Sequence, residues 1–366
     1  MTISKSLMLG ASLLAMTASV ASADAMADLE AAAKAEGNLT TIALPHDWCG
    51  YGAVIEGFKK KYPEIAINEL NPDGSSADEL EAVRANKDNK GPQAPDVLDI
   101  GLSFGPVAKQ EGLIQPYKVA TWDSIPDTAK DADGAWYGDY YGVMSFIVNT
   151  DLVKTVPTDW ADLMKPEYAN AFALTGDPRS GNQGLMSVMS AGMAMGGKPG
   201  AESAAKGLEF FAGLNKAGNF VPVSGKTGTI AQGTTPIVAA WDYNALAWRD
   251  TLAGNPKAEV VIPASGTLAG VYVQAISAYA PHPNAAKLWM EYLYSDEGQL
   301  LWLSGYCHPI RFNDLAARNV IPADLMAKLP PAEAYAKAVF PTLDEQSAHK
   351  EGVSAGWDKV VGVKVE

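Results

Sequence analysis

The chain has two cysteines, Cys49 and Cys307, and four histidines among 366 residues. Two cysteines exclude a disulfide-dense scaffold and any four-cysteine zinc site. The histidines are scattered without ligand spacing, and Walker A and Rossmann glycine patterns are missing, so no metal or cofactor is expected. Basic residues are scarce, 28 Lys plus Arg against 42 Asp plus Glu, for a formal net charge of −14. That deficit argues against nucleic acid, whose affinity rests on neutralised phosphates, and against a basic membrane-surface role. Beyond the first segment, no uninterrupted apolar run is long enough to span a bilayer. Repeats of solenoid length and low-complexity linkers are also missing. Disorder is excluded by a hydrophobic fraction of 48%.

What is present begins with an export address. Lys5 gives a positive start, residues 7–18 an apolar stretch, and Ala21-Ser22-Ala23 a small-residue cleavage signal. Residues 1–23 are therefore expected to be a signal peptide cleaved after Ala23. Export places the two thiols in an oxidising compartment, which predicts a Cys49–Cys307 bridge.

Helix formers at 26–36, 54–61 and 76–86 alternate with strand-like runs at 39–44, 65–67 and 95–100. This rhythm predicts an α/β fold with mainly parallel sheets covered on both faces. The signals recur in the middle: strands at 172–175, 237–240 and 260–262, and a Met-rich helix over 185–195. Two β-branched and aromatic stretches, 141–149 and 271–278, are long enough to cross between lobes. Residues 24–145 and a helical 273–366 would build one lobe and 146–272 the other.

Candidate ligand contacts cluster at strand ends, where open parallel sheets bind ligands. Asp47 and Trp48 follow the first strand and either charge-pair and stack on a ligand or stay solvated and packed. Ser76 reads as a helix cap with Glu79 reaching back, or as part of a helix start that offers amides to an anion. Gly101-Leu102-Ser103-Phe104-Gly105 fits the nucleophile-elbow pattern of hydrolases, with His282, His308 and His349 as the possible bases. Otherwise Ser103 and Phe104 are contacts in a non-catalytic cleft. Arg179, Ser180 and Gly181 precede the Met-rich helix and suit a carboxylate or phosphate. Trp241 and Asp242 end another strand, where a carboxylate among aromatics suits an ammonium, or a helix cap. Tyr141 and Tyr272, on the two crossings, reach a ligand between lobes or serve as core aromatics.

The chain resembles the periplasmic solute-binding proteins of bacterial ABC importers, in the group of polyamine, iron(III) and thiamine receptors. The resemblance is carried by residues 32–39 (AAKAEGNL), by Pro95-Asp96-Val97 with residues 112–117 (GLIQPY), and by 133–138 with 149–153. It is also carried by 157–168 (PTDWADLMKPEY) and most specifically by 280–299 (APHPNAAKLWMEYLYSDEGQ). It implies a two-lobed type II binding fold and a periplasmic, non-enzymatic receptor. Such a receptor closes on one small solute and hands it to an inner-membrane permease, and it is expected to be a monomer. Trp241 matches a Trp of the polyamine receptors, but Gly270-Val271-Tyr272-Val273 stands where they place a Trp and an Asp. One carboxylate and one anion site point to a γ-aminobutyrate-like zwitterion, with a short polyamine as the other amine. Iron(III) or a sugar phosphate would be the alternative cargo, and a secreted serine hydrolase using Ser103 the alternative class.

Overall fold

A computed structural model describes residues 24–327, 329, 333 and 337–366. The expected signal peptide and its cleavage after Ala23 lie outside these residues. The chain opens with α1 (24–36), stopped by Gly37 at φ 69°, a conformation glycine adopts without strain. It continues through β1 (Asn38–Ile42), α2 (Tyr51–Lys61), β2 (Ala66–Leu70), α3 (Ser76–Ala85), β3 (Val97–Gly101), α4 (Gly105–Gln110) and β4 (Ile114–Gln115). The long strand β5 (Tyr137–Asn149) leads to β6 (Phe172–Leu174), α5 (Asn182–Ala194), α6 (Ala201–Ala217), α7 (Thr227–Ala231), β7 (Ile237–Trp241), α8 (Asp242–Leu252) and β8 (Ala258–Val261). The second long strand, β9 (Ala269–Ser277), precedes α9 (Pro283–Leu293), α10 (Asp296–Ser304), β10 (His308–Pro309), α11 (Phe312–Ala317), α12 (Ala323–Met326) and α13 (Leu343–Val360).

Strand β5 belongs to two ladders. Residues from Tyr137 to Val143 pair with β9, and from Met144 onward the strand pairs with β7 and β8. The lobes are thus joined through a continuous strand, with β9 beside it. Among the named strands of the described residues, parallel pairing is confined to β1–β2 and β6–β7, with isolated parallel bridges at Phe172–Phe220 and Leu268–Val339. The ladders around β5 and β9 are antiparallel because the two crossings run in opposite directions. The β1–β2 sheet is parallel and the larger sheet mixed, where parallel-rich sheets were expected.

The tail differs as well. After β9 the chain returns to the first lobe, but Val339 then pairs beside Leu268 in a third crossing. Helix α13 packs on α6, and Ser224 donates its amide to the Glu366 carbonyl at 2.6 Å. Residues 343–360, expected with the first lobe, pack mainly on α6 and also reach Phe104. The segment was expected to be helical, but its packing partner was not legible.

Cores form on both sides of the junction. Phe146, Trp160, Phe172 and Phe211 make edge-to-face and tilted contacts in one. Tyr51, Phe58, Trp289 and Trp302 pack in the other. Helices α5 and α6 cross closely because Gly192 faces the Ser203 carbonyl, where a Cβ would sit 1.9 Å from the oxygen. Cys49 and Cys307 are bonded, with Cα atoms 5.5 Å apart, as the export signal led us to expect. No helix among the described residues is long and apolar enough to cross a membrane.

Candidate functional site

A cleft of about 760 Å³ opens between the lobes. Its wall from the first lobe is made by Trp48, Ser76, Glu79, Asp99 and Tyr272. The opposite wall is the turn into α5, with Ser180, Gly181, Asn182 and Gln183, together with Lys226 and Asn244.

A capping shift of one residue builds the first wall. Ser75, rather than Ser76, caps α3: its Oγ accepts from the Asp78 amide at 3.3 Å, and Asp78 accepts from the Ser75 amide at 2.8 Å. Ser76 and Glu79 are thereby released from capping. Ser76 Oγ accepts from the Gly101 amide at 3.1 Å, and Glu79 Oε2 from the Asp99 amide at 2.8 Å. These two acceptors fix the end of β3 against the start of α3, which sets Asp99 at the bottom of the cleft.

A polar chain then runs inward. The Trp48 indole donates to the Tyr140 hydroxyl at 2.6 Å, and that hydroxyl donates to Asp99 Oδ2 at 2.6 Å. Among the described residues, no donor is placed on the buried Asp99 Oδ1. Asp139 approaches the same carboxyl from β5 and accepts from Gln274 Nε2 at 2.8 Å. Burial pushes Asp99 up to about 7, with bonds from Tyr140 and Tyr51 acting against it. Burial also raises Glu79 and Asp139, and the Asp99 charge beside each raises them further. Aromatic rings wall this carboxyl floor. Tyr272 stacks on Tyr140 at 5.5 Å, and the Trp48 ring meets Tyr272 and Tyr243 edge-on at 5.3 and 5.6 Å.

The second wall has a different character. Gly181 precedes α5 without any side-chain cap, so the first-turn amides have no side chain closing them off from the cleft. The helix dipole makes that end partially positive. Gln183 bridges within the wall, accepting from the Trp241 amide at 2.7 Å and from Asn244 Nδ2 at 3.0 Å.

Of the residues singled out in the sequence, Asp47, Trp48, Ser76, Ser180, Gly181 and Tyr272 line the cleft. The others lie elsewhere. Asp242 is fully buried and its Oδ1 accepts from the Val143 amide at 2.8 Å, at the lobe junction. Trp241 is buried over Gly270, where a Cβ would come within 2.1 Å of the indole ring. Arg179 turns away to pair with Asp177 and Asp358. Tyr141 points to the face of β5 opposite Tyr140, by strand alternation, and stacks on His308 at 4.8 Å. Phe104 lies under the Lys350 ammonium, 3.4 Å from its ring centre. Ser103 Oγ is buried, with no hydrogen-bond partner among the described residues. His282 pairs with Asp96, His349 with Ser203, and His308 stacks on Tyr141, so the triad expected of a nucleophile elbow does not assemble. Sequence reading weighed Tyr140 only beside Tyr141 as a possible iron pair, and missed Asp99, Glu79 as a wall residue, and Asn182. The available signal was an Asp in the otherwise apolar run of β3, a charge placed where a buried strand does not need one.

Two lobes, a shared strand and a cleft walled by both define a solute-binding architecture. The chain belongs to the bacterial extracellular solute-binding protein family, whose sequence profile matches residues 93–344. It is a family of receptors rather than enzymes. The fold is similar to that of the periplasmic binding protein AfuA from Actinobacillus pleuropneumoniae, with fructose-6-phosphate bound (TM-score 0.66, 19% identity, 89% of this chain and 99% of that one). It is similar to iron-bound HitA from Pseudomonas aeruginosa (TM-score 0.63, 17% identity, 89% and 99%). It is also similar to the GABA receptor Atu4243 (TM-score 0.61, 15% identity, 87% and 95%). No curated protein sequence matches the chain.

Proposed function

We propose that this substrate-binding component of an ABC importer works in the periplasm, capturing a small zwitterion of the ω-amino acid type and passing it to an inner-membrane permease. The observation that carries the reading is the opposition of the two walls. Asp99 and Glu79, flanked by Trp48 and Tyr272, suit an ammonium, which gains charge-assisted hydrogen bonds and cation–π contact. The uncapped start of α5, with Ser180 and Lys226, suits the solute's anionic end. Each lobe holds one pole, so closure is favoured by a ligand that satisfies both. The amine pole is therefore Asp99 rather than Asp242, and the anion pole is the α5 start rather than Arg179.

A short diamine is the second reading, because Asp47, Asp73 and Glu366 also line the cleft. A thermal-shift panel on ligand-stripped protein separates the readings, using γ-aminobutyrate, aminoethylphosphonate, putrescine, fructose 6-phosphate and iron(III). A ligand at 1,000 times its dissociation constant adds about 4 kcal/mol, a rise of several degrees. A response to the zwitterions that is lost in Asp99→Asn is the expected result. A response to fructose 6-phosphate or iron(III) with none to any amine would overturn the proposal.

A further inference from the structure

The floor of the cleft contains an arrangement that the solute-binding role does not by itself require. Asp99 on β3, Asp139 on β5 and Glu79 on α3 are buried together, 5%, 0% and 1% exposed. The charges they feel are one another's and, at Glu79, also that of Asp78 at the start of α3. The titratable groups facing them from the surrounding elements are Tyr51 on α2, Tyr140 on β5, Tyr243 on α8, Tyr272 on β9 and Tyr294 after α9. All of these are acids, and none brings a positive charge. Full ionisation would stack uncompensated negative charge out of water, a cost that neighbouring carboxyls avoid by retaining a proton. The polar partners fit that state. Asp139 is held by Gln274, which also donates to the Tyr51 hydroxyl at 2.7 Å, while among the described residues no donor is placed on the buried Asp99 Oδ1.

We propose that Asp99 and Asp139 hold one proton between them before the solute arrives and release it to solvent when an ammonium settles on Asp99. Asp139 is then a positioning residue: it never touches the solute, but it sets the protonation state of the carboxylate that does. The inference rests on the amine pole assigned above. The balance is simple: the pair loses H⁺ to the buffer, and the incoming –NH₃⁺ replaces its charge, with no covalent bond made or broken in the solute. Burial raises Asp99 well above the usual carboxylate range, which moves the exchange towards neutral pH.

Two measurements test it. Calorimetric titration of the full chain with γ-aminobutyrate, in buffers of different ionisation enthalpy at pH 6, should show close to one proton released per solute bound. Affinity should rise by up to about tenfold per pH unit between pH 5 and 7. In Asp139→Asn the release at pH 6 should fall and the rise of affinity should move to lower pH, with burial alone still raising Asp99. A role confined to packing would lower affinity equally at every pH, and that outcome overturns the proposal, as does the lack of proton release in the native chain. The second measurement needs neither ligand nor variant. Infrared titration of the ligand-free native chain should show a buried protonated-carboxyl carbonyl stretch at pH 5 that disappears by pH 9. Lack of that band overturns the shared proton. If the band is present and γ-aminobutyrate does not bind, the solute reading fails while the shared proton stands.

Discussion

Replacing Asp242 by Ala removes the acceptor that holds the Val143 amide, 2.8 Å away, where β5 passes from one lobe to the other. The amide is buried by the surrounding sheet, and an orphaned buried donor costs about 1–3 kcal/mol. Loss of an acidic residue from the first turn of α8 adds about 0.3–1 kcal/mol through the helix dipole. The sum is about 1.3–4 kcal/mol, which at a urea slope of about 3 kcal/mol per M lowers the unfolding midpoint by roughly 0.4–1.3 M. Asp99→Asn should behave in the opposite way. It removes a buried carboxyl that lacks a positive partner, so its midpoint should hold or rise, while solute affinity falls. Loss of one partner from a buried charge pair costs about 2–5 kcal/mol, or roughly 30-fold to several thousand-fold in affinity. Urea unfolding monitored by tryptophan fluorescence, together with calorimetric titration of each variant with γ-aminobutyrate, reads both quantities. The reasoning is refuted if Asp242→Ala loses affinity to the same extent as Asp99→Asn while its midpoint stays at the native value.

Further outcomes are expected. Gly101→Ala would place a Cβ 2.2 Å from Asn182 Cγ, wedging the end of β3 against the start of α5. Affinity should fall at least about tenfold with little change in unfolding midpoint, since the clash lies between lobes; unchanged affinity would mean Asn182 swings aside. Loss of the Cys49–Cys307 bond in the double Ser variant opens a loop with a sequence separation of 258, worth about 5 kcal/mol in chain entropy. Its unfolding midpoint should drop accordingly, and a midpoint equal to the native one would refute this. Burial lowers His308 and His349 to about 4, so the unfolded chain takes up protons first as pH falls. Their stabilisation is complete above the ordinary histidine value and is lost as pH falls towards 4. A melting series from pH 7.5 to 4.5 should decline less steeply in His349→Gln than in the native chain, by up to about 1.4 kcal/mol per pH unit.

The elements were legible where pattern and punctuation agree. The stretch 172–175 matches β6, the Met-rich helix matches α5 to within a turn, and the two crossings are β5 and β9. What was hidden is orientation. Trp241 and Asp242 do end a strand, but β7 lies beside β5, so both side chains turn into the junction and away from the cleft. The cap at α3 shows how fine the margin is. Ser75 and Ser76 both satisfy the capping pattern, and choosing the first frees Glu79 and Ser76 to build the wall. Asp99 escaped notice because it lies within a strand, and one sequence cannot show that a buried carboxyl faces a void rather than a buried cation. The third crossing at Val339 is carried by an isolated pairing with Leu268, too short to leave a periodic trace.

Strand β5 also constrains how the receptor can vary in length. Asp139 and Tyr140 serve the cleft floor a few positions before Val143 and Met144, where the strand changes partners. Side chains alternate along a strand, so inserting or deleting one residue between Tyr140 and Met144 would invert every face on one side of the change. Either the tyrosine and carboxyl network would turn outward, or Phe146 and Val148 would leave the second core. Loops around the cleft can lengthen or shorten to accept a new solute. The strand beneath them must keep its count, so redesign for another cargo should substitute residues on β5 and reserve insertions for the loops.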